Sequence, residues 1–288
     1  MKSTHRNGPR RQHAAAAAST RTARDAAAAI GIFDSGIGGL TVMREIMEVL
    51  PHEHLIYLGD TGRYPYGSKS PETVRRYSLE NAAFLADKGI KMLVVACNTS
   101  AAFALDALGE QVATPVIGVI EPGARAAVQS TRNRKVGIIG TEGTIASGSY
   151  TRALKRLDAA LEIYTRACPL FVPLAEEGWV DNDVARATAA LYLTSLKRSG
   201  IDTLVLGCTH YPLLAEVIAD VMGDKVQLVD SARTTAAAVR ETLVNYGLLR
   251  RSGQGSASFF VTDATDRFIK VGARFMGHPV ESAVRIER

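Results

Sequence analysis

Short apolar runs alternate with segments of helical periodicity from residue 30 onward. The runs are rich in β-branched residues, as buried strands are, and the segments between them predict helical crossovers. This alternation predicts an α/β fold with mostly parallel strands. The predicted strands are Ile30–Phe33, Leu55–Leu58, Met92–Ala96, Val116–Ile120, Val136–Ile139, Ile201–Leu206 and Val226–Val229. The predicted helices include Thr41–Leu50, Pro71–Lys88, Ser147–Leu161 and Asp183–Arg198, the last with Asp183 as N-cap and Gly200 as its stop signal.

Two pairs of segments repeat along the chain at similar displacements. Gly31–Gly36 aligns with Gly137–Glu142, and Met92–Thr99 aligns with Thr203–His210, at displacements of 106 and 111 residues. Chance similarity between Val- and Leu-rich strands is the alternative explanation. We interpret the repeat as two pseudo-symmetric α/β halves. Since ligands bind at the carboxyl ends of strands in open α/β sheets, we expect the active site in the cleft between the halves.

Cys97 and Cys208 each follow an apolar strand and precede polar residues. A single free cysteine is more often a small buried apolar residue than a reactive one. Two cysteines in matched contexts favour chemistry, because a thiol with an ordinary pKa of ~8.5 can accept or donate a proton near neutrality. Inverting a carbon centre requires one such group on each face, which is the role we predict for this pair.

Each cysteine has a candidate proton-transfer partner. His210 lies two residues after Cys208, which would place both side chains on one side of an extended segment. Asp34, at the tip of the first strand, is the candidate beside Cys97, although an aspartate before glycines is more commonly a turn or N-cap residue.

A glycine-rich segment, Asp34–Gly39, follows the first predicted strand but matches neither GxGxxG nor a P-loop. Its backbone N–H groups are better suited to a small anion such as a carboxylate. The turn Tyr64–Ser68 offers a similar set of amides to a second carboxylate.

A zinc site built from Cys97, Cys208 and His210 is a further alternative, but the sequence supplies no suitably spaced fourth ligand. We therefore predict no metal. Cys168 and Trp179 are interpreted as packing residues.

The net charge of +5 is concentrated at the N-terminus, where residues 1–28 contain six basic residues and one acidic residue. The remainder is neutral, so a nucleic-acid-binding surface is not indicated. We interpret residues 1–29 as a disordered basic, Ala-rich extension rather than an export or organelle-targeting signal. Three cysteines without CxxC spacing favour a reducing cytoplasm, and no run approaches the ~20 apolar residues of a membrane span.

Six motifs in order resemble the aspartate/glutamate racemase superfamily, and within it the members that act on glutamate. The resemblance covers roughly residues 30–280. The motifs are GIFDSGIGGLTV, YLGDTGRYPYGSKS, VVACNTSAA, PVIGVIEPG, CPLFVPLAEEG and LGCTHYPLL.

This resemblance implies cofactor-free interconversion of L- and D-glutamate, which supplies D-glutamate for peptidoglycan. It implies that Cys97 and Cys208 are the proton donors and acceptors, that Asp34 and His210 support them, and that Glu177 lies near His210. It also implies a homodimer and a second domain, 121–230, inserted into a first domain, 30–120 plus 231–288. The implied substrate-binding residues are Asp34, Ser35, Tyr66, Gly67, Asn98, Thr99, Thr209 and His210, with Thr141 as a weaker candidate.

Two other functions remain open from the sequence. One is a related enzyme of the same superfamily, an aspartate racemase or an arylmalonate decarboxylase. The other is a binding protein that inhibits DNA gyrase, for which the basic residues 1–28 are the candidate contact with an acidic partner.

Overall fold

The computed structural model describes residues 25–287 and contains two parallel β-sheets. The first sheet has the strand order β10-β9-β2-β1-β3-β4, and the second has the order β6-β5-β7-β8. The strands are β1 (Ile30–Asp34), β2 (His54–Gly59), β3 (Met92–Val95), β4 (Val116–Gly118), β5 (Lys135–Gly140), β6 (Glu162–Ala167), β7 (Thr203–Gly207), β8 (Gln227–Asp230), β9 (Ser256–Val261) and β10 (Val284–Arg285).

Helices connect successive strands and cover the sheets. They are α1 (Leu40–Val49), α2 (Pro71–Asp87), α3 (Asn98–Gln111), α4 (Ile120–Ser130), α5 (Glu142–Ala146), α6 (Ser149–Leu157), α7 (Phe171–Glu177), α8 (Asp183–Arg198), α9 (Ala215–Met222), α10 (Ser231–Asn245) and α11 (Thr265–Met276). A short 3₁₀ helix, Tyr211–Leu214, precedes α9.

The two sheets share a strand order. β1 lies between β2 and β3, with β4 beyond β3, and β5 lies in the same way between β6 and β7, with β8 beyond β7. The segments that repeat in the sequence are therefore equivalent central strands. The predicted fold class, two pseudo-symmetric α/β units with parallel sheets, is confirmed.

Three strands were not predicted from the sequence. β6 and β9 expose several of their side chains, and β10 spans only two residues, so none produces a continuous apolar run. The predicted helix Ser147–Leu161 corresponds to α6, which is shorter at both ends. It begins at Ser149, after Gly148 in a left-handed conformation with φ of 64°, and it ends at Leu157. Asn182, not Asp183, caps α8 by accepting a hydrogen bond from the Ala185 backbone.

The chain passes from the first sheet to the second through α4 and returns through α10. The first sheet draws its strands from residues 30–118 and 256–285, and the second from residues 135–230. Residues 25–29 contact this body, since the Lys91 backbone N–H donates to the Ala29 carbonyl. The rest of the predicted N-terminal extension, residues 1–24, lies outside the described residues. Within residues 25–287, no helix is both long enough and apolar enough to cross a membrane.

A buried ion pair between Lys91 and Glu53 joins four segments of the chain. Lys91 Nζ donates to Glu53 Oε2, to the Ala26 carbonyl at 2.7 Å and to the Leu248 carbonyl at 2.9 Å. The other carboxylate oxygen of Glu53 accepts the Arg250 backbone N–H at 2.8 Å. The side chains of both charged residues are almost completely buried. Each charge therefore depends on its partner to offset the loss of hydration.

Replacing Lys91 with methionine should lower the free energy of unfolding by about 3–5 kcal/mol, because the Glu53 carboxylate would remain buried without its cation. Urea denaturation measures this change. The double variant Lys91→Met/Glu53→Gln removes both charges and should recover part of the loss. A double variant no more stable than Lys91→Met alone would contradict this explanation.

Candidate active site

A cavity of about 360 Å³ lies at the carboxyl ends of strands from both sheets. Its walls are the turns that follow β1, β2 and β3 of the first sheet and β5, β6 and β7 of the second. This is where parallel α/β sheets bind ligands. The lining residues are Ser35, Tyr64, Pro65, Tyr66, Gly67, Ser68, Cys97, Asn98, Thr99, Thr141, Glu142, Pro169, Val172, Pro173, Cys208, Thr209 and His210.

Cys97 lies at the N-terminus of α3 and caps this helix. Its Sγ accepts a hydrogen bond from the Ser100 backbone N–H at 3.4 Å and donates to Ser35 Oγ at 3.6 Å. Burial raises the pKa of the Cys97 thiol, the neighbouring Asp34 carboxylate adds to the rise, and the hydrogen bonds of Ser100 oppose it. The helix N-terminus is thus the feature that favours a thiolate here.

Cys208 follows β7 and lines the same cavity as Cys97. Burial raises the pKa of the Cys208 thiol above its usual range, while the backbone N–H of His210 opposes the rise. The Cys208 Sγ lies 3.9 Å from Nδ1 of His210. Residues 208–210 form a turn rather than the expected extended segment, yet the turn still brings the imidazole beside the thiol.

Asp34, at the end of β1, lies behind the cavity wall and is completely buried. Its carboxylate accepts hydrogen bonds from the Gly36 backbone N–H at 2.9 Å and from Thr209 Oγ1 at 3.4 Å. Burial raises the pKa of Asp34, and the charge of His210 and the hydrogen bonds oppose this rise. The structure thus places Asp34 near Cys97, as expected, and also joins it to the turn that carries Cys208.

The carboxylate beside His210 belongs to Glu176, so the expectation for Glu177 was wrong. Glu176 Oε1 lies 3.1 Å from His210 Nε2, and its Oε2 accepts from Arg267 at 2.9 Å. Glu177 is exposed, because successive residues of α7 point in directions about 100° apart. Burial opposes ionisation of Glu176, but the hydrogen bonds from His210 and Arg267 outweigh it and lower the pKa of this carboxyl.

The glycine-rich turn after β1 allows the two halves of the site to meet. A Cβ atom at Gly38 would lie 2.3 Å from Thr209 Oγ1 and 2.4 Å from His210 Nδ1. Any side chain at this position would displace the turn that carries His210. The close contact between the two domains therefore explains why position 38 is occupied by glycine.

The expected substrate-binding residues Ser35, Asn98, Thr99, Thr141 and Thr209 all line the cavity. Thr99 follows β3 of the first sheet, and Thr141 follows β5 of the second. Their hydroxyl oxygens are 2.9 Å apart. The amide nitrogen Nδ2 of Asn98 is buried and has no hydrogen-bond partner among residues 25–287. The Asn98 amide is therefore an unpaired donor that an anionic ligand can engage.

The turn after β2 crosses the cavity and contacts the second domain. The carbonyl of Gly67 accepts a hydrogen bond from the Gly143 backbone N–H at 2.8 Å. Tyr66 lines the cavity, but its hydroxyl donates to the buried carboxylate of Asp60. The Tyr66 hydroxyl is therefore already engaged, and its bond to Asp60 fixes the position of the turn.

Several lining residues were not assigned from the sequence. Tyr64 is the most informative of them, since its hydroxyl hydrogen-bonds Glu176 and its ring stacks on His210 at a centroid distance of 6.3 Å. The others are Pro65, Ser68, Glu142, Pro169, Val172 and Pro173. Tyr64, Pro65 and Ser68 lie in a turn that the sequence had marked as an anion-binding candidate, whereas the residues at 169–173 carry no polar signal.

Residues 25–287 contain no cluster of three or more histidine, cysteine or acidic side chains arranged to hold a metal ion. Cys168 is buried outside the cavity lining, and burial raises the pKa of its thiol to about 12. It is therefore a packing residue, as expected.

Comparison with known proteins agrees with this geometry. The model of the Asp/Glu/Hydantoin racemase family matches residues 30–239. The chain belongs to this family. The resemblance seen in the sequence motifs is thus confirmed.

Relatives within the family match most of the chain. A glutamate racemase of Geobacter metallireducens is 60% identical over 250 residues, which are 86% of this chain and 93% of that protein. A glutamate racemase isoform of Bacillus anthracis has a solved structure with a TM-score of 0.88 and 41% identity, covering 90% of this chain and 97% of that one. The Francisella tularensis glutamate racemase, solved with D-glutamate, has a TM-score of 0.86 and 35% identity, covering 91% and 98%.

The assignment of Glu176 in place of Glu177 predicts different outcomes for two neighbouring variants. Glu176→Gln should lower kcat for racemisation by about 100-fold or more, because His210 loses the carboxylate that orients it. Glu177→Gln should remain within about twofold of the wild type, since its side chain is exposed. Steady-state kinetics of both variants measures the difference. The reverse order of effects would contradict the assignment.

The stability of the Glu176→Gln variant, relative to the wild type, should depend on pH. A carboxyl group with a lowered pKa stabilises the folded state above the pKa of the unfolded chain, about 4.3 for glutamate, and this contribution is lost as the pH falls through the folded-state value. Glu176→Gln should therefore melt below the wild type at pH 7, and the gap should narrow below pH 4. Thermal denaturation between pH 3 and pH 8 tests this, with Glu177→Gln as the control. A gap independent of pH would contradict it.

Proposed function

We propose that this chain racemises glutamate without a cofactor, using Cys97 and Cys208 as the two proton-transfer groups. The observation that carries the proposal is that two buried thiols, one from each sheet, line the same cavity. A family match and relatives named glutamate racemase support the substrate. The D-glutamate bound to the Francisella tularensis protein supports it further.

The proposed reaction moves one proton on each face of Cα. One cysteine, as a thiolate, removes the Cα proton and becomes a thiol, while the substrate becomes a carbanion stabilised by its carboxylate. The opposite thiol then donates its proton to the other face and becomes a thiolate. The product has inverted configuration, and the two cysteines have exchanged protonation states. The reverse reaction uses the same groups in the opposite order.

The surroundings of the two thiols suggest different means of forming the thiolate. The N-terminus of α3 favours a thiolate at Cys97, whereas the charge of the neighbouring Asp34 carboxylate opposes it. His210, held by Glu176, lies beside Cys208 and can take its proton. Once formed at these buried positions, either thiolate is more basic than an exposed one, which favours removal of a carbon-bound proton.

Replacing either active-site thiol should abolish racemisation. Cys97→Ser and Cys208→Ser should each lower kcat by about 100-fold or more, because a serine hydroxyl is a much weaker acid than a thiol. Cys168→Ser is the matched control, a buried cysteine outside the cavity lining, and should retain activity if it folds. The assay follows formation of D-glutamate from L-glutamate without pyridoxal phosphate. Full activity in both active-site variants would contradict the mechanism.

Reaction in deuterium oxide adds a mechanistic test. Early product should carry deuterium at Cα, whereas the remaining substrate should carry little, because the incoming proton comes from the opposite thiol. Equal labelling of substrate and product would indicate a single exchanging base.

A comparison of the turnover rates with glutamate, aspartate and an arylmalonate separates the proposed activity from those of the related enzymes.

Three further parts of the proposal extend beyond the site. We place the reaction in the cytoplasm, which the cysteine pattern favours. We also expect that D-glutamate serves peptidoglycan synthesis and that the chain forms a homodimer, since the family resemblance implies both. Inhibition of DNA gyrase through residues 1–28 stays a prediction. Gel filtration with light scattering tests the dimer, and a gyrase assay with and without residues 1–28 tests the interaction.

A further inference from the structure

Tyr150 connects the second domain to a cavity residue of the first. It lies on α6, and its side chain is 2% exposed. Its hydroxyl donates to Oδ1 of Asn98 at 2.7 Å. Asn98 begins α3 and lines the cavity beside Cys97, whereas Tyr150 itself is not a lining residue. Tyr150 can therefore influence a ligand only through another side chain.

The hydrogen bond fixes which end of the Asn98 amide is engaged. Because Oδ1 is bonded to Tyr150, the two N–H groups of Nδ2 remain available to bind a ligand. Nδ2 is also the atom of this amide that has no hydrogen-bond partner among residues 25–287. An unpaired buried amide costs free energy unless a ligand accepts its hydrogen bond. A carboxylate is an acceptor of this kind, and the proposed substrate carries two.

Tyr150 is itself held by both connections between the domains. Its hydroxyl would lie 3.3 Å from a Cβ at Gly123 of α4, and its ring 3.1 Å from a Cβ at Gly207, at the end of β7. Ser231, at the start of α10, lies near the same hydroxyl, and its own hydroxyl donates to the Leu206 carbonyl at 3.1 Å. The absence of side chains at both glycines leaves room for the ring. The hydroxyl therefore has a defined position at the junction of the two domains.

We propose that Tyr150 is a positioning residue for substrate binding, which holds the amide of Asn98 so that its N–H groups donate to a carboxylate of the substrate. This inference rests on the proposed racemase function. It assigns Tyr150 no part in proton transfer. Loss of the hydroxyl should weaken binding of substrate and transition state alike, which raises KM and leaves kcat almost unchanged.

The test is a double-mutant cycle on Tyr150→Phe and Asn98→Ala. Tyr150→Phe keeps the ring and should raise KM for glutamate by about tenfold, the loss of roughly one hydrogen bond, with kcat within about twofold. In the Asn98→Ala background, the same substitution should cause no further loss of kcat/KM, because Tyr150 acts through Asn98. Tyr192→Phe, which removes a tyrosine hydroxyl from α8 outside the cavity lining, is the matched control.

Multiplicative losses in the double variant, or an unchanged KM in Tyr150→Phe, would overturn the proposal. Should Tyr150→Phe fail to fold, Gly123→Ala displaces the hydroxyl instead, because the added Cβ would lie 3.3 Å from it, and it should raise KM only when Asn98 is present. A KM unaffected by Gly123→Ala in that case would also overturn it. A wild-type chain that does not racemise glutamate would instead contradict the proposed function, so the two failures are distinguishable.

Discussion

Parallel strands place all of their carboxyl-terminal turns along one edge of a sheet, and here two such edges meet at one cavity. This constraint explains why the site draws on residues far apart in the sequence. Asp34 ends the central strand β1, and Thr141 follows β5, the equivalent strand of the second sheet. Cys97 follows β3, and Cys208 follows its equivalent, β7. The shared strand order brings a thiol from each domain to the same space. The glycine at position 38 permits the close contact between the turns that this arrangement requires.

Burial governs the chemistry of both thiols. It raises the pKa of each, so the protonated form is favoured at rest, but a thiolate formed in this cavity is correspondingly more basic. The two sites oppose burial by different means. A helix N-terminus faces Cys97, whereas a histidine oriented by a carboxylate lies beside Cys208. The two halves of the molecule are therefore similar in topology and unlike in electrostatics, and each thiolate is stabilised by a separate set of residues.

The sequence predicted the fold class and the central strands, because buried parallel strands are nearly continuous apolar runs. It did not predict β6 and β9, whose exposed positions interrupt that pattern. Among site residues, the two cysteines followed from their matched contexts. Glu176 was missed in favour of its neighbour, because only the rotation of α7 decides which of two adjacent carboxylates faces His210. Tyr64 and Tyr150 depend on contacts between distant segments, which periodicity and spacing do not encode.

The pairing of β9 with β2 has a consequence for biosynthesis. Residues 54–59 of β2 leave the ribosome long before residues 256–261 of β9, and the whole second sheet is made in the interval. That sheet is built from one continuous stretch and can assemble while translation continues. During the same period, β2 exposes backbone groups along an edge that another polypeptide can occupy. The nascent chain thus exposes this edge of β2 until residues 256–261 emerge and pair with it.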